Sequence, residues 1–182
     1  MTPVGYMAKN VVKRPDWLQA AAVEDLYSVS GCISKYFADY IKYWKHNGYW
    51  FFDSVESIQS LAQEHSIPLG ECKVFYYEVF DQEFDDENKK WQPFGPDESI
   101  KTSVVPPAKK QLEGYDVVTF SVHTSPECSP LSCNYVARTV PTNRHCLLRS
   151  FDEAKAQVEA GAFDNSEPGP FRIFAVYSID EA

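Results

Sequence analysis

The sequence contains no apolar run close to the ~18 residues that a membrane-spanning helix requires. The opening stretch from Met1 to Arg14 has no apolar core of the signal-peptide kind, so export is not expected. Cys-x-x-Cys is absent, and the spacing of Cys32, Cys72, Cys128, Cys133 and Cys146 fits neither a zinc ribbon nor a zinc finger. No phosphate-binding glycine loop, dinucleotide fingerprint, His-Glu-x-x-His, Gly-x-Ser-x-Gly or kinase set occurs. The enzyme classes those motifs mark therefore drop out, and neither a cofactor nor a metal is expected. Basic residues are scarce, with 17 Lys and Arg against 26 Asp and Glu, a net charge of −9. Such a chain lacks the basic footprint of a nucleic-acid binder and is repelled by anionic membranes. No low-complexity tract or long linker divides it, so one domain over 1–182 is expected.

What remains is a protein able to build an ordinary core. Apolar residues make up 44% of its 182 residues and aromatics 15%. Five cysteines without an export signal read as free thiols in a reducing cytoplasm.

Two stretches share a pattern. Trp50-Phe-Phe-Asp-Ser54, a helical stretch and Lys73-Val-Phe75 through Asp81 match Cys146-Leu-Leu-Arg-Ser150, a helical stretch and Arg172-Ile-Phe174 through Asp180. Ser54 and Ser150 stand where helix N-caps belong, and Glu153 completes a capping box behind Ser150. Each copy reads as strand, helix, strand, so the expected class is α+β, a ferredoxin-like sheet made of two βαβ repeats. The strands are expected near 49–53, 73–80, 145–149 and 171–179, with both helices on one face. On this reading residues 1–47 form an N-terminal helical extension, 48–81 copy one, 82–144 an insertion and 145–180 copy two. Ile33, Phe37, Tyr40, Ile41 and Trp44 recur at helical spacing within the extension. A shorter helical piece is expected to open at Pro15-Asp16-Trp17. Within the insertion, residues 115–123 read as a further strand and the acidic stretch from Asp81 to Glu87 as a hairpin tip. The acidic stretch fails as a calcium loop, with Asp86 where glycine is needed and Gln92 where a bidentate Glu is needed.

The segment from Cys128 to Phe151 is distinctive because it contains no Asp or Glu. It carries Arg138, Arg144, Arg149 and His145 inside an acidic chain. Ser129-Pro130 resembles an N-cap followed by proline at the first helical position. Ser129, Ser132, Asn134, Arg138 and Arg144 are therefore the candidate ligand-binding residues, for a small anionic ligand or a protein partner, with a homodimer among the expected assemblies. A thiol-dependent enzyme is the alternative, with Cys128 or Cys133 as nucleophile and His123 or His145 as base.

Overall fold

The computed structural model describes residues 1–30, 46–120 and 128–179. In chain order the strands are β1 (Thr2–Lys9), β2 (Val12–Lys13), β3 (Asp25–Leu26), β4 (Lys73–Asp85), β5 (Lys90–Pro93), β6 (Gln111–Thr119) and β7 (Phe171–Ser178). The helices are α1 (Val55–His65), the single turn α2 (Pro130–Cys133) and α3 (Phe151–Glu159). The result is a mixed α/β protein built mostly of strands around an antiparallel sheet.

β4 and β7 carry apolar or aromatic residues at consecutive positions, the pattern of strands covered on both faces. They pair antiparallel at the centre of the sheet, and Phe75, Tyr76, Tyr77, Ile173, Phe174, Ala175 and Val176 are all fully buried. β1 flanks β4 and β6 flanks β7, so the order is β1-β4-β7-β6 with every pairing antiparallel. β5 folds back on the end of β4, and the Asp85 carboxylate caps that turn by accepting from the N–H groups of Glu87 and Asn88.

This topology corrects the expected one. The strand before each helix is β1 or β6, not 49–53 or 145–149. The backbone of those two segments pairs with the sheet through the isolated bridges Tyr6–Phe52 and Tyr115–Leu148 rather than as full strands. Trp50 and Cys146 sit in left-handed backbone (φ 67° and 61°), which breaks an extended run. The helix-linked strands pair directly and antiparallel, unlike the parallel strands that a βαβ crossover joins. The 1–47 extension begins with a sheet strand, and Asp16–Leu18 is one 3-10 turn rather than a longer helix. The 82–144 insertion contributes β6, which runs over Gln111–Thr119 and so starts earlier than the expected 115–123, of which residues 121–123 lie outside the described residues. The helix expected around Ile33–Trp44 lies outside the described residues.

Both long helices start as their sequences require. Ser54 Oγ accepts from Ser57 N at 3.2 Å, and Ser150 Oγ accepts from Glu153 N at 3.1 Å. Glu153 reaches back to the N–H of Arg149 at 3.0 Å.

Each outer strand has a bulge at a glycine. The register shifts between Pro3 and Gly5 on β1 and between Leu112 and Gly114 on β6. Gly5 and Gly114 have φ of +124° and +149°, and a Cβ there would lie 2.3 Å from Phe52 O and 2.7 Å from Leu148 O. An asparagine supports each bulge. Asn47 Nδ2 donates to Val4 O, and its Oδ1 accepts from Tyr49 N and Phe51 N. Asn143 Nδ2 donates to Glu113 O, and its Oδ1 accepts from His145 N and Leu147 N.

Register also sets the layers. Tyr6, Tyr76 and Tyr177 stand opposite one another, so they share a face. Tyr115, opposite Ala175, which is opposite Glu78, lies on that same face. Tyr6 lines a cleft with Val55 and Ile58 of α1, and Tyr115 meets Phe151 of α3. Both helices therefore pack on this face. The other face carries Phe75, Tyr77, Phe174 and Asp116, and irregular chain covers it. Tyr27 packs on Phe75, and Phe51 packs on Tyr77 and Phe174. The acid-free segment belongs to this irregular layer.

Candidate functional site

The first turn of α2 is turned into the protein rather than toward solvent. Ser129 is buried, and its hydroxyl makes no N-cap bond. It donates instead to Asp116 Oδ2 at 2.6 Å. The same carboxylate oxygen accepts from Val29 N at 2.8 Å, and Ser30 N donates to Ser129 Oγ at 3.2 Å. Lys9, 1% exposed, donates through Nζ to Val29 O and Ser30 O at 2.6 and 2.8 Å. One acid and one base at the inner face of the sheet thus anchor two irregular segments, 28–30 and 128–130. Ser132 Oγ donates to Ser129 O, so it too serves the turn.

Burial governs the chemistry of this cluster. It pushes the Asp116 carboxyl up to about 6, against the lowering effect of its bonds to Ser129 and Val29 and of the Lys9 charge. Asp116 Oδ1 and the Tyr77 hydroxyl are buried without a hydrogen-bond partner among the described residues. Burial, with the Asp116 charge second, holds the Tyr77 hydroxyl well above its ordinary range. Burial also pushes the Cys146 thiol up to about 12, with the charges of Asp116 and Cys133 adding to it. Burial thus keeps the Cys146 thiol protonated at neutral pH, which disfavours it as a nucleophile.

The thiol-enzyme candidates do not form a nucleophile–base pair in the described residues. Cys128 Sγ donates to Asn134 Oδ1 at 3.2 Å, and Cys133 Sγ lies 3.9 Å from the hydroxyls of Ser30 and Ser132. The ring nitrogens of His145 face carboxylates, Nδ1 to Asp25 Oδ1 at 2.5 Å and Nε2 to Glu113 Oε2 at 3.6 Å. Its ring stacks on Tyr27 at 3.9 Å. His145 ties β3 to β6, aided by backbone bonds from Glu24 N and Asp25 N to Arg144 O and from Tyr27 N to His145 O. His123 lies outside the described residues.

The two candidate arginines stay at the surface. Arg144 pairs with Glu24 at 2.6 Å, both well exposed. Arg138 donates through Nη2 to the carbonyl of Trp17 at 3.0 Å, and its guanidinium lies 4.5 Å from the centre of the Tyr135 ring. Tyr135 meets Trp17 edge-on at 5.1 Å. Trp17 and Tyr135 are 45% and 44% exposed, and Tyr135 has left-handed backbone (φ 64°). Sequence reasoning missed this group because Trp17 and Tyr135 lie far apart in the chain. The one available signal was a tyrosine within the acid-free segment.

A cleft of about 970 Å³ runs between α1 and the chain before β6, lined by Tyr6, Val55, Ile58, Leu69 and Pro107 among others. Among the described residues no group of three His, Cys, Asp or Glu side chains could hold a metal ion. No helix among them is long and apolar enough to cross a membrane. Comparison with family models, curated proteins and solved structures finds no match.

Proposed function

We propose that the chain is a non-enzymatic binding module that receives an anionic group at Arg138, on the exposed face that Trp17 and Tyr135 form with it. One observation carries this reading. Arg138 lies over the Tyr135 ring with one donor spent on the Trp17 carbonyl, and no carboxylate pairs with it among the described residues. A guanidinium fixed in this way loses little freedom when it grips a carboxylate or phosphate with its remaining fork. Ser129, Ser132 and Asn134 then act as scaffold, since their side chains bond within the turn and to Asp116 and Cys128. Arg144 assists only after it releases Glu24. The thiol-enzyme alternative has less support, because His145 is committed to two carboxylates and the Cys128 thiol donates to Asn134 Oδ1.

The reading extends to the architecture. The paired glycine bulges, the paired asparagines and the serine caps are what a duplicated unit would leave, with β1-α1-β4 and β6-α3-β7 as the two copies. A reducing compartment such as the cytoplasm suits the free thiols of Cys72, Cys128, Cys133 and Cys146.

The test is thermal unfolding in increasing phosphate, with chloride at equal ionic strength as reference. Binding to the folded state raises stability by mass action. The parent should gain stability with phosphate, Arg138→Gln should lose most of the gain and Arg144→Gln only part. An equal response in parent and Arg138→Gln would reject the site.

A further inference from the structure

We infer that the anionic group is delivered by a protein segment, a short run of Asp and Glu side chains around one apolar or aromatic anchor. The inference rests on the reading of Arg138 as the anion-receiving residue and adds the class of partner. A free phosphate or carboxylate would engage guanidinium groups alone. It would leave unexplained why two large aromatic rings, from loops far apart in the chain, meet in solvent beside that guanidinium. Trp, Tyr and Arg are the residue types that dominate the energetics of protein interfaces, where an apolar side chain wedges against the rings and rim charges fix its register.

Tyr135 is the hinge of the arrangement. Its φ of 64° is a conformation that bulky side chains seldom adopt. In that conformation its ring meets Trp17 in a T-shaped contact and lies under the Arg138 guanidinium. The segment that carries Tyr135 and Arg138 is basic in an otherwise acidic chain. No acid occurs between Cys128 and Phe151. Arg14 lies on the same arm, its backbone N–H on Glu24 O and its Nη1 on Ala20 O. The acids on that arm are Asp16, Glu24 and Asp25; Glu24 is paired with Arg144 and Asp25 with His145, which leaves Asp16. Charge complementarity therefore selects an acidic segment, and the exposed rings select one with an apolar anchor.

The experiment uses fluorescence anisotropy at low salt with two labelled synthetic peptides. One is a short Glu-rich peptide with Phe-Leu at its centre, and the other has both central residues replaced by Gly. The proteins are the full chain and its Trp17→Ser, Tyr135→Gly and Arg138→Gln variants. Tyr135→Gly removes the ring while relaxing the left-handed backbone, so it keeps the test open if Trp17→Ser fails to fold. The Phe-Leu peptide should bind the parent about tenfold tighter than the Gly peptide, as loss of one interface anchor commonly costs. Trp17→Ser and Tyr135→Gly should erase that difference and weaken the phosphate-dependent stabilisation without abolishing it, whereas Arg138→Gln should remove it. Arg138→Gln should abolish binding of both peptides. Equal binding of the two peptides by the parent, both lost in Arg138→Gln, would overturn the protein-segment inference and leave the anion reading standing. Binding of anionic lipid vesicles through the same residues, with neither peptide bound, would also overturn it. Insensitivity of peptide binding and of phosphate stabilisation to Arg138→Gln would bring down both.

Discussion

Asp116 shows what burial does to a single carboxylate. Its carboxyl is pushed up to about 6, above the ordinary value of about 3.9, because desolvation outweighs its hydrogen bonds. A raised carboxyl favours the folded state when protonated. Its penalty is absent below about pH 4, grows as pH rises, and is complete above about pH 6. Urea unfolding of the parent should therefore show this group's contribution to stability rising from pH 7 to pH 4, on the order of 2 kcal/mol. Asp116→Asn keeps an oxygen for Val29 N and Ser129 Oγ and should flatten that rise. Parallel profiles for parent and variant would show that Asp116 does not titrate in this way. The thiols separate on the same grounds. Cys146 is buried and its thiol stays protonated, so brief iodoacetamide treatment followed by mass spectrometry should find it alkylated far more slowly than Cys128. Alkylation of Cys146 at the rate of Cys128 would contradict the buried placement.

At the scale of elements, the glycine bulges and the asparagines that brace them decide how the irregular layer meets the sheet. Gly5→Ala forces a Cβ against the Phe52 carbonyl and strains a backbone that only glycine adopts easily. It should cost more than about 2 kcal/mol, as should Gly114→Ala, both read from urea midpoints. Asn47→Ala removes one donor to Val4 O and one acceptor for two backbone N–H groups in a buried site. A loss of roughly 3 kcal/mol is expected. Ser150→Ala removes a single cap bond at an exposed helix start and should cost only about 1 kcal/mol. If Asn47→Ala were as mild as Ser150→Ala, the bulge would not depend on its asparagine.

The whole molecule unites its two ends through β4 and β7 and through the arm that follows β1. Leu18, Val23 and Leu26 of that arm are buried in one cluster with Leu131, Leu148 and Ile173 from the far end of the chain. Neither half keeps a core to itself. Leu18→Ala should lower stability by about 3 kcal/mol and shift one cooperative transition, seen alike by tryptophan fluorescence and circular dichroism. Two separated transitions would mean that the halves fold independently.

Local signals were legible because they act over a few residues. The serine caps, the face of Ile58, Leu61 and Ala62 and the aromatic runs of β4 and β7 depend only on near neighbours, and all were readable from spacing. The turn at 86–89 was readable for the same reason. Segments 49–53 and 145–149 misled because apolar runs look extended on paper. Trp50 and Cys146 turn left-handed there because backbone and asparagine bonds to the rest of the fold hold them. Sheet order was not legible either, since antiparallel and parallel links between the same strands share one hydrophobic pattern. The acid-free segment identified Arg138 by composition. Its direction of facing, the inward turn of Ser129 toward Asp116 and the meeting of Tyr135 with Trp17 are contacts between residues distant in the chain. The sequence determined which residues prefer helix, strand or turn. Only the tertiary structure decided which of them were desolvated and which were left exposed, because burial is a property of neighbours that only the folded chain brings together.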